Sequence, residues 1–423
     1  MLLMISPCFF MLNTNILAGT YLSAAQMSNV TIVLVYAALL VIVTSMISLR
    51  TNDPDPMLAG RNMPWWLIGA SIVGTSVSSI AFLAYPSRGY AFDLNVIIGE
   101  LCGGIIAPPI CFLFFVAFLR KSRNASIYTL LNDRFGRWSA IYASVAFIVY
   151  SIVRMGVITC LVAEAVHLIC GVDIVSVMIL TGIIVVFYTY MSGIEGVIWT
   201  DFFQTIVLVI AGAASIYFLL KGIPHTGSDL WEAVRNAPIA QQKSAALSND
   251  WGLLATTCLF FTAIGMDFYA ANQGVAQRYI VARSDNHAKW GLAAGGFVLP
   301  WIVSLFFGVG ILLYIFHQAN PHLADSSNVN ARDVFAHFIA NHFPDGLKGL
   351  AIVGILAAAM STIDTGINSS STVLICNLYE PFSRASTMRQ SLLTMQILRT
   401  SSAIFGAMGV FSAYLVYLNG EGA

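Results

Sequence analysis

Ser361, Thr362 and Thr365 fall three, four and seven residues after Ala358, so on a helix these positions share one face. They belong to the stretch 357–368, inside a segment long enough to span a bilayer. Hydroxyls stacked there can coordinate a hard cation such as Na⁺, which prefers neutral or anionic oxygen. Asp364 adds a carboxylate beside that face. An ionisable group at membrane depth is costly and by default marks a functional site. The same Ser and Thr residues also suit helix packing in membranes, and the stretch alone leaves both readings open.

The elements that must position these groups are membrane helices. Apolar residues make up 58% of the 423-residue chain and charged residues 9%, where a soluble domain has roughly 25% charged. The mean hydropathy is +0.80. A net charge of zero speaks against nucleic acid as a partner. The seven cysteines are odd in number and lie mostly in apolar segments (Cys102, Cys111, Cys160, Cys258, Cys376), which gives no disulfide framework.

Ten spans are expected, over 28–48, 65–86, 93–119, 138–168, 172–191, 198–220, 250–276, 288–316, 346–378 and 398–418. The apolar lead 1–26 lacks the basic start of a secretory signal, and Met27 is an alternative beginning. With the N-terminus outside, inner loops hold thirteen Arg and Lys, among them Arg50, Arg120, Lys121, Arg123, Arg278, Arg384, Arg389 and Arg399. Outer segments then hold six: Arg88, Lys221, Arg235, Lys243, Arg332 and Lys348. The positive-inside rule selects that orientation, in a multi-pass plasma-membrane protein.

Two spans are interrupted. The second runs through Gly69, Ser71, Gly74, Thr75, Ser76, Ser78 and Ser79, and the seventh through Gly265, Asp267, Asn272, Gln273 and Gly274. Polar, Gly-rich backbone at membrane depth is tolerated where it lines a cavity. Breaks five spans apart point to inverted repeats with a binding site between them. No re-entrant filter loop of a channel is visible.

Four stretches carry a family likeness: 69–79, 192–204 (Ser-Gly-Ile-Glu-Gly-Val-Ile-Trp-Thr-Asp-Phe-Phe-Gln), 272–279 (Asn-Gln-Gly-Val-Ala-Gln-Arg-Tyr) and 357–371. With them the chain resembles the sodium/solute symporter family over about 61–380. The resemblance implies an all-α polytopic, leucine-transporter-type fold: inverted five-helix repeats after an extra N-terminal helix, and Na⁺-powered alternating access. The expected division is helix and linker over 27–60, a first repeat over 61–220, an outer loop over 221–249, and a second repeat over 250–423. That second repeat reads as incomplete, truncated after the ninth core helix, which puts transport competence of this form in question.

Carried over by resemblance, the principal Na⁺ site uses the carbonyls of Gly74, Val77 and Ala358 with the hydroxyls of Ser361 and Thr362. A second site, present in some members, would use Asp201, Ser361, Asp364 and Thr365; Asp364 stands where several members have Ser. Asp201 also reads as a helix-start cap after Trp199-Thr200. The solute pocket would involve Ser76, Ser78, Glu100, Phe268 and Asn272, joined by Arg154 at mid-span, whose guanidinium suits a carboxylate. Alternatively Glu100 and Arg154 neutralise each other, and Phe268 is a core aromatic. Gly265 and Leu299 replace the polar amide and Lys of galactose-carrying members, so the pocket looks closer to the sialic acid symporters. Ala81 replaces a pocket Thr, so that match is partial.

The expected function is Na⁺-coupled symport of a carboxylate-bearing sugar such as sialic acid. The alternatives are a neutral sugar or polyol, or a transport-inactive solute sensor. No nucleophile–base pair, organic cofactor site or phosphate-binding Gly-rich loop argues for an enzyme or ATP drive. Glu164 with His167, and His317, His322, His337 and His342, lack metal-ligand spacing. A monomer suffices for this reading.

Overall fold

The computed structural model describes residues 24–50, 57–121, 125–223, 232, 251–320, 333–344, 346–382 and 387–420. Most of the lead, Arg123, Arg235, Lys243, His322, Arg332, Arg384 and the side chains of Arg50 and Arg389 lie outside the described residues. The described structure is helical apart from one isolated bridge, Met63 to Ala282.

Helix α1 (Ala24–Arg50) precedes a broken pair, α2 (Trp65–Ser76) and α3 (Ser79–Tyr90), bent by 62°. Helix α4 (Leu94–Ile110) continues through a π turn, Cys111–Phe115, to Leu119. The short α5 (Thr129–Phe135) leads to α6 (Arg137–Cys170) and α7 (Ile174–Gly222). A second broken pair follows: α8 (Trp251–Met266), a π turn over Asp267–Ala271, and α9 (Gln273–Ile280). The remainder is α10 (Asp285–Ala319), α11 (Val334–His342), α12 (Leu347–Val373, prolonged to Tyr379 by a π turn) and α13 (Thr387–Gly420).

The expected spans 172–191 and 198–220 are one 49-residue run that turns at Gly193. Its φ of 56° and ψ of −155° is a conformation open essentially only to glycine. A bilayer takes about 20 helical residues, so this run crosses twice. With it, the eight long apolar helices and the bent pair α2/α3 supply the ten expected spans.

Helix α12 is the hub. In its most apolar stretch 89% of residues are buried, against 17% in α1 and 6% in α8. It packs on α7, α6, α1 and α13, while of the broken pairs α2 packs on α10 and α8 on α4. The central helix of the bundle is therefore the one carrying the hydroxyl-rich stretch.

Candidate functional site

Helix α2 ends because Val77 (φ −87°, ψ 90°) and Ser78 (φ −86°, ψ 177°) are extended. Beyond them the amides of Ala81 and Phe82 both donate to the Ser78 carbonyl, at 2.9 and 3.2 Å. The carbonyls of the last turn of α2, Gly74 to Val77, are those a helix end leaves for other partners. Gly74 is the contact point: a Cβ there would lie 2.9 Å from Thr205 Oγ1, 3.1 Å from the Asp201 carbonyl and 3.2 Å from Ser361 Oγ. The break in α2, α7 and the hydroxyl face of α12 thus meet at one place.

The second break is built alike. Asn272 (φ −77°, ψ 120°) is extended, and its side chain caps α9 by accepting from the Gly274 amide at 2.9 Å. A Cβ on Gly274 would meet Thr365 Cγ2 at 2.8 Å. Both breaks therefore press against α12, at Ser361 and at Thr365, one helical turn apart.

Around these contacts lies a buried polar network. Ser71 and Ser361 both donate to the Asp201 carboxylate. Ser361 spends its proton there, which leaves its oxygen lone pairs open to a further partner. Thr362 donates to the Ala358 carbonyl at 3.4 Å, and the hydroxyls of Thr75 and Thr365 share a hydrogen bond at 3.2 Å. Asp201, Asp364, Ser361 and Arg278 are all 0% exposed. Arg278 donates through Nη2 to Asp201 at 2.7 Å and to Thr365 at 2.8 Å, through Nε to Ser71 at 2.6 Å, and through Nη1 to the Gly274 carbonyl. Tyr188 donates to Asp364 at 2.7 Å.

Arg278 therefore is not a loop charge. It is the buried counter-ion of Asp201, and the inner tally of basic residues loses one member. Asp201 in turn is no helix-start cap, since it lies in the interior of α7. Sequence reasoning missed Arg278 because it is close to a helix end, where hydropathy reads a charge as surface. Helix α9 is instead drawn inward by the bonds of Met63 N to the Val281 carbonyl (3.1 Å) and of Arg283 N to the Met63 carbonyl (3.0 Å). A usable signal was Arg278 four residues after Gly274, directly beyond the break, with two span carboxylates lacking a basic partner.

Of the expected solute residues, Arg154 and Asn272 line one small cavity of about 20 Å³ with Tyr150, Met155, Thr362 and Thr365. Ser78 is buried at the α2 break, and Ser76 bonds back to the Ile72 carbonyl at 2.6 Å. Phe268 packs on Tyr269 in an apolar cluster with Met266. Glu100 and Arg154 do not neutralise each other. Glu100 accepts from Tyr85 at 2.9 Å, and the ion pairs among the described residues are Arg88–Asp93, Arg120–Asp285 and Arg278–Asp201. Elsewhere, Glu164 accepts from the Cys160 thiol at 3.4 Å, and His167 lies 2.8 Å from the Val172 carbonyl.

Broken helices that expose carbonyls to a hydroxyl-bearing central helix define an ion-coupled secondary transporter of the leucine-transporter type. The sequence pattern of the Sodium:solute symporter family matches residues 57–417, and the chain belongs to that family. It is 30% identical over 392 residues to the sodium/sialic acid symporter SiaT of Proteus mirabilis, covering 91% of this chain and 77% of that protein. The sodium/sialic acid symporter NanT of Aliivibrio fischeri is 30% identical over 376 residues (88% and 73%). The human sodium/iodide cotransporter is 26% identical over 387 residues, covering 88% of this chain and 58% of that protein. A solved Na⁺-coupled sialic acid symporter, substrate-bound and outward-open, superposes with a TM-score of 0.86 at 28% identity, covering 92% of this chain and 82% of that one. Mhp1, a nucleobase-cation-symport-1 transporter in a closed conformation, shares the fold at a TM-score of 0.53 and 16% identity. The chain is a Na⁺-coupled solute symporter and not an enzyme.

Proposed function

We propose that this symporter carries a carboxylate-bearing solute, with sialic acid and related acidic sugars first, across the plasma membrane with its N-terminus outside. One observation carries the reading: Arg154 is at mid-helix in α6, lines a cavity with Asn272, Thr362 and Thr365, and forms no ion pair among the described residues. A guanidinium at membrane depth costs at least ~2.5 kcal/mol on insertion scales, and a solute carboxylate taken bidentately offsets that cost. The two sialic acid symporters among the relatives support the same choice. A cavity of about 20 Å³ holds a water, so the sugar enters only when the helices around it separate.

For the coupling ion we assign the carbonyls of Gly74, Val77 and Ala358 and the hydroxyls of Ser361 and Thr362. The contact of Gly74 with Ser361 supports this set. Asp201, Asp364, Ser361 and Thr365 form the neighbouring set from which a second ion would draw. Competition against labelled sialic acid in proteoliposomes tests the solute class. Sialic acid should compete well and glucose or inositol poorly, and Arg154→Lys should lose affinity although it keeps the charge. Equal competition by neutral sugars, with Arg154→Ala unimpaired, would instead favour a neutral-sugar carrier.

A further inference from the structure

Three contacts fix how α4 and α10 lie together. Arg120, just past the extension of α4, pairs with Asp285 at the start of α10 at 2.6 Å. A Cβ on Gly296 would meet the Pro108 ring at 2.6 Å, and one on Gly104 would meet Pro300 Cγ at 2.6 Å. Residue numbers fall on one helix as they rise on the other, so the two run antiparallel, with small residues and prolines where they cross. An apolar groove of about 790 Å³ runs along this crossing, between Gly104 and Pro108 on one side and Gly296 and Pro300 on the other. Phe297 and Trp301 line it and are exposed. No charged side chain lines it among the described residues.

The groove has the depth of one leaflet. It runs from Ala293 to Ser304 on α10 and from Leu113 to Leu101 on α4. At about 1.5 Å per helical residue that is roughly 16–18 Å, against about 15 Å for the hydrocarbon of one leaflet. A separate observation marks which end meets the headgroups. Phe112, at the Ala293 end, carries the Lys289 ammonium 5.5 Å above its ring centre, and Trp290 meets it edge-on at 6.0 Å. Lys289 stands one helical turn beyond Ala293 and forms no ion pair among the described residues. Trp290 is exposed beside it, and tryptophan with lysine is the pair of side chains that settles at headgroup depth.

We propose that this groove is a binding site for an anionic phospholipid, with one acyl chain laid between α4 and α10 and the phosphate held by Lys289. In the orientation proposed above it is a lipid of the inner leaflet. The apolar lining suits the chain, and an unpaired ammonium at the headgroup end suits a headgroup with net negative charge. A second copy of this chain fits less well. A two-fold interface sets the same patch against itself, and a concave groove flanked by a lysine is not self-complementary in shape or charge. The site also has a structural consequence. Helix α4 backs α8, and α10 backs α2, so the lipid touches both helices against which the broken pairs pack.

The test is native mass spectrometry of the purified full chain, solubilised from vesicles of phosphatidylcholine and phosphatidylglycerol in equal parts. One phosphatidylglycerol should stay with each chain, favoured about fivefold over phosphatidylcholine, as one basic residue near the membrane surface provides. Lys289→Gln should erase that preference and Lys289→Arg should keep it. Ala293→Trp, which fills the groove, should shed the retained lipid of either kind. A preference for phosphatidylglycerol that survives Lys289→Gln, or retention that survives Ala293→Trp, would overturn the proposal and place the lipid elsewhere. A parent that retains no lipid, or both lipids equally, would overturn it as well. A dimer of the parent that Ala293→Trp splits into monomers would overturn it in favour of a second copy.

Discussion

Arg278 and Asp201 form a buried pair whose partners hold one another in place. Losing one member of such a pair costs about 3–5 kcal/mol, because the other charge is stranded. Arg278→Met should therefore lower the thermal unfolding temperature of the detergent-solubilised protein steeply, and adding Asp201→Leu should recover a large part of the loss. If the double variant is no more stable than the single one, the pair is not the electrostatic unit described. Ser361 and Thr362 belong to the same neighbourhood with a different role. Removing both hydroxyls should weaken Na⁺ activation by at least about tenfold, read as the Na⁺ concentration for half-maximal uptake. At this scale the carboxylates and hydroxyls of α7 and α12 were legible, because polar groups in apolar spans stand out. Arg278 and Tyr188 were not, since a tyrosine in a span, or an arginine at its edge, has the ordinary reading of packing or interface. Only the fold shows that they face Asp201 and Asp364.

The helices carry their own tests. Gly193 turns α7 in a conformation other residues enter at a cost of about 1–3 kcal/mol, so Gly193→Ala should destabilise the protein measurably, whereas Gly308→Ala, in open space, should not. The sulfurs of Cys102 on α4 and Cys258 on α8 lie 2.7 Å apart, and both are free thiols. Copper phenanthroline should oxidise them to one intramolecular disulfide, detected as a linked peptide by mass spectrometry. Persistently separate peptides would mean that α8 does not pack on α4 as described. Both helix breaks were readable in the sequence, the first from Gly and hydroxyl residues and the second from Gly, Asp, Asn and Gln, and the structure has extended backbone at Val77 and Asn272 within them. The turn at Gly193 was placed only as a gap between two spans. Continuous apolar sequence marks where a helix crosses, while a single positive φ decides how it turns, and hydropathy does not report φ.

For the whole molecule, α12 couples the parts. It touches the α2 break through Ser361, the α9 break through Gly274 and Thr365, and Asp201 of α7. Thr362, which belongs to the ion set proposed above, also lines the Arg154 cavity together with Thr365, so on that proposal an ion held at the first break would tighten a wall of the cavity. Ion and solute binding would then be linked, each raising the affinity for the other by the same factor. The most direct measurement is uptake of labelled sialic acid into proteoliposomes holding the purified chain, with and without an inward Na⁺ gradient. Transient accumulation above equilibrium is expected only with the gradient, and it should be abolished in Ser361→Ala/Thr362→Ala and in Arg154→Ala. Equal uptake without Na⁺, or accumulation that survives loss of both hydroxyls, would contradict it.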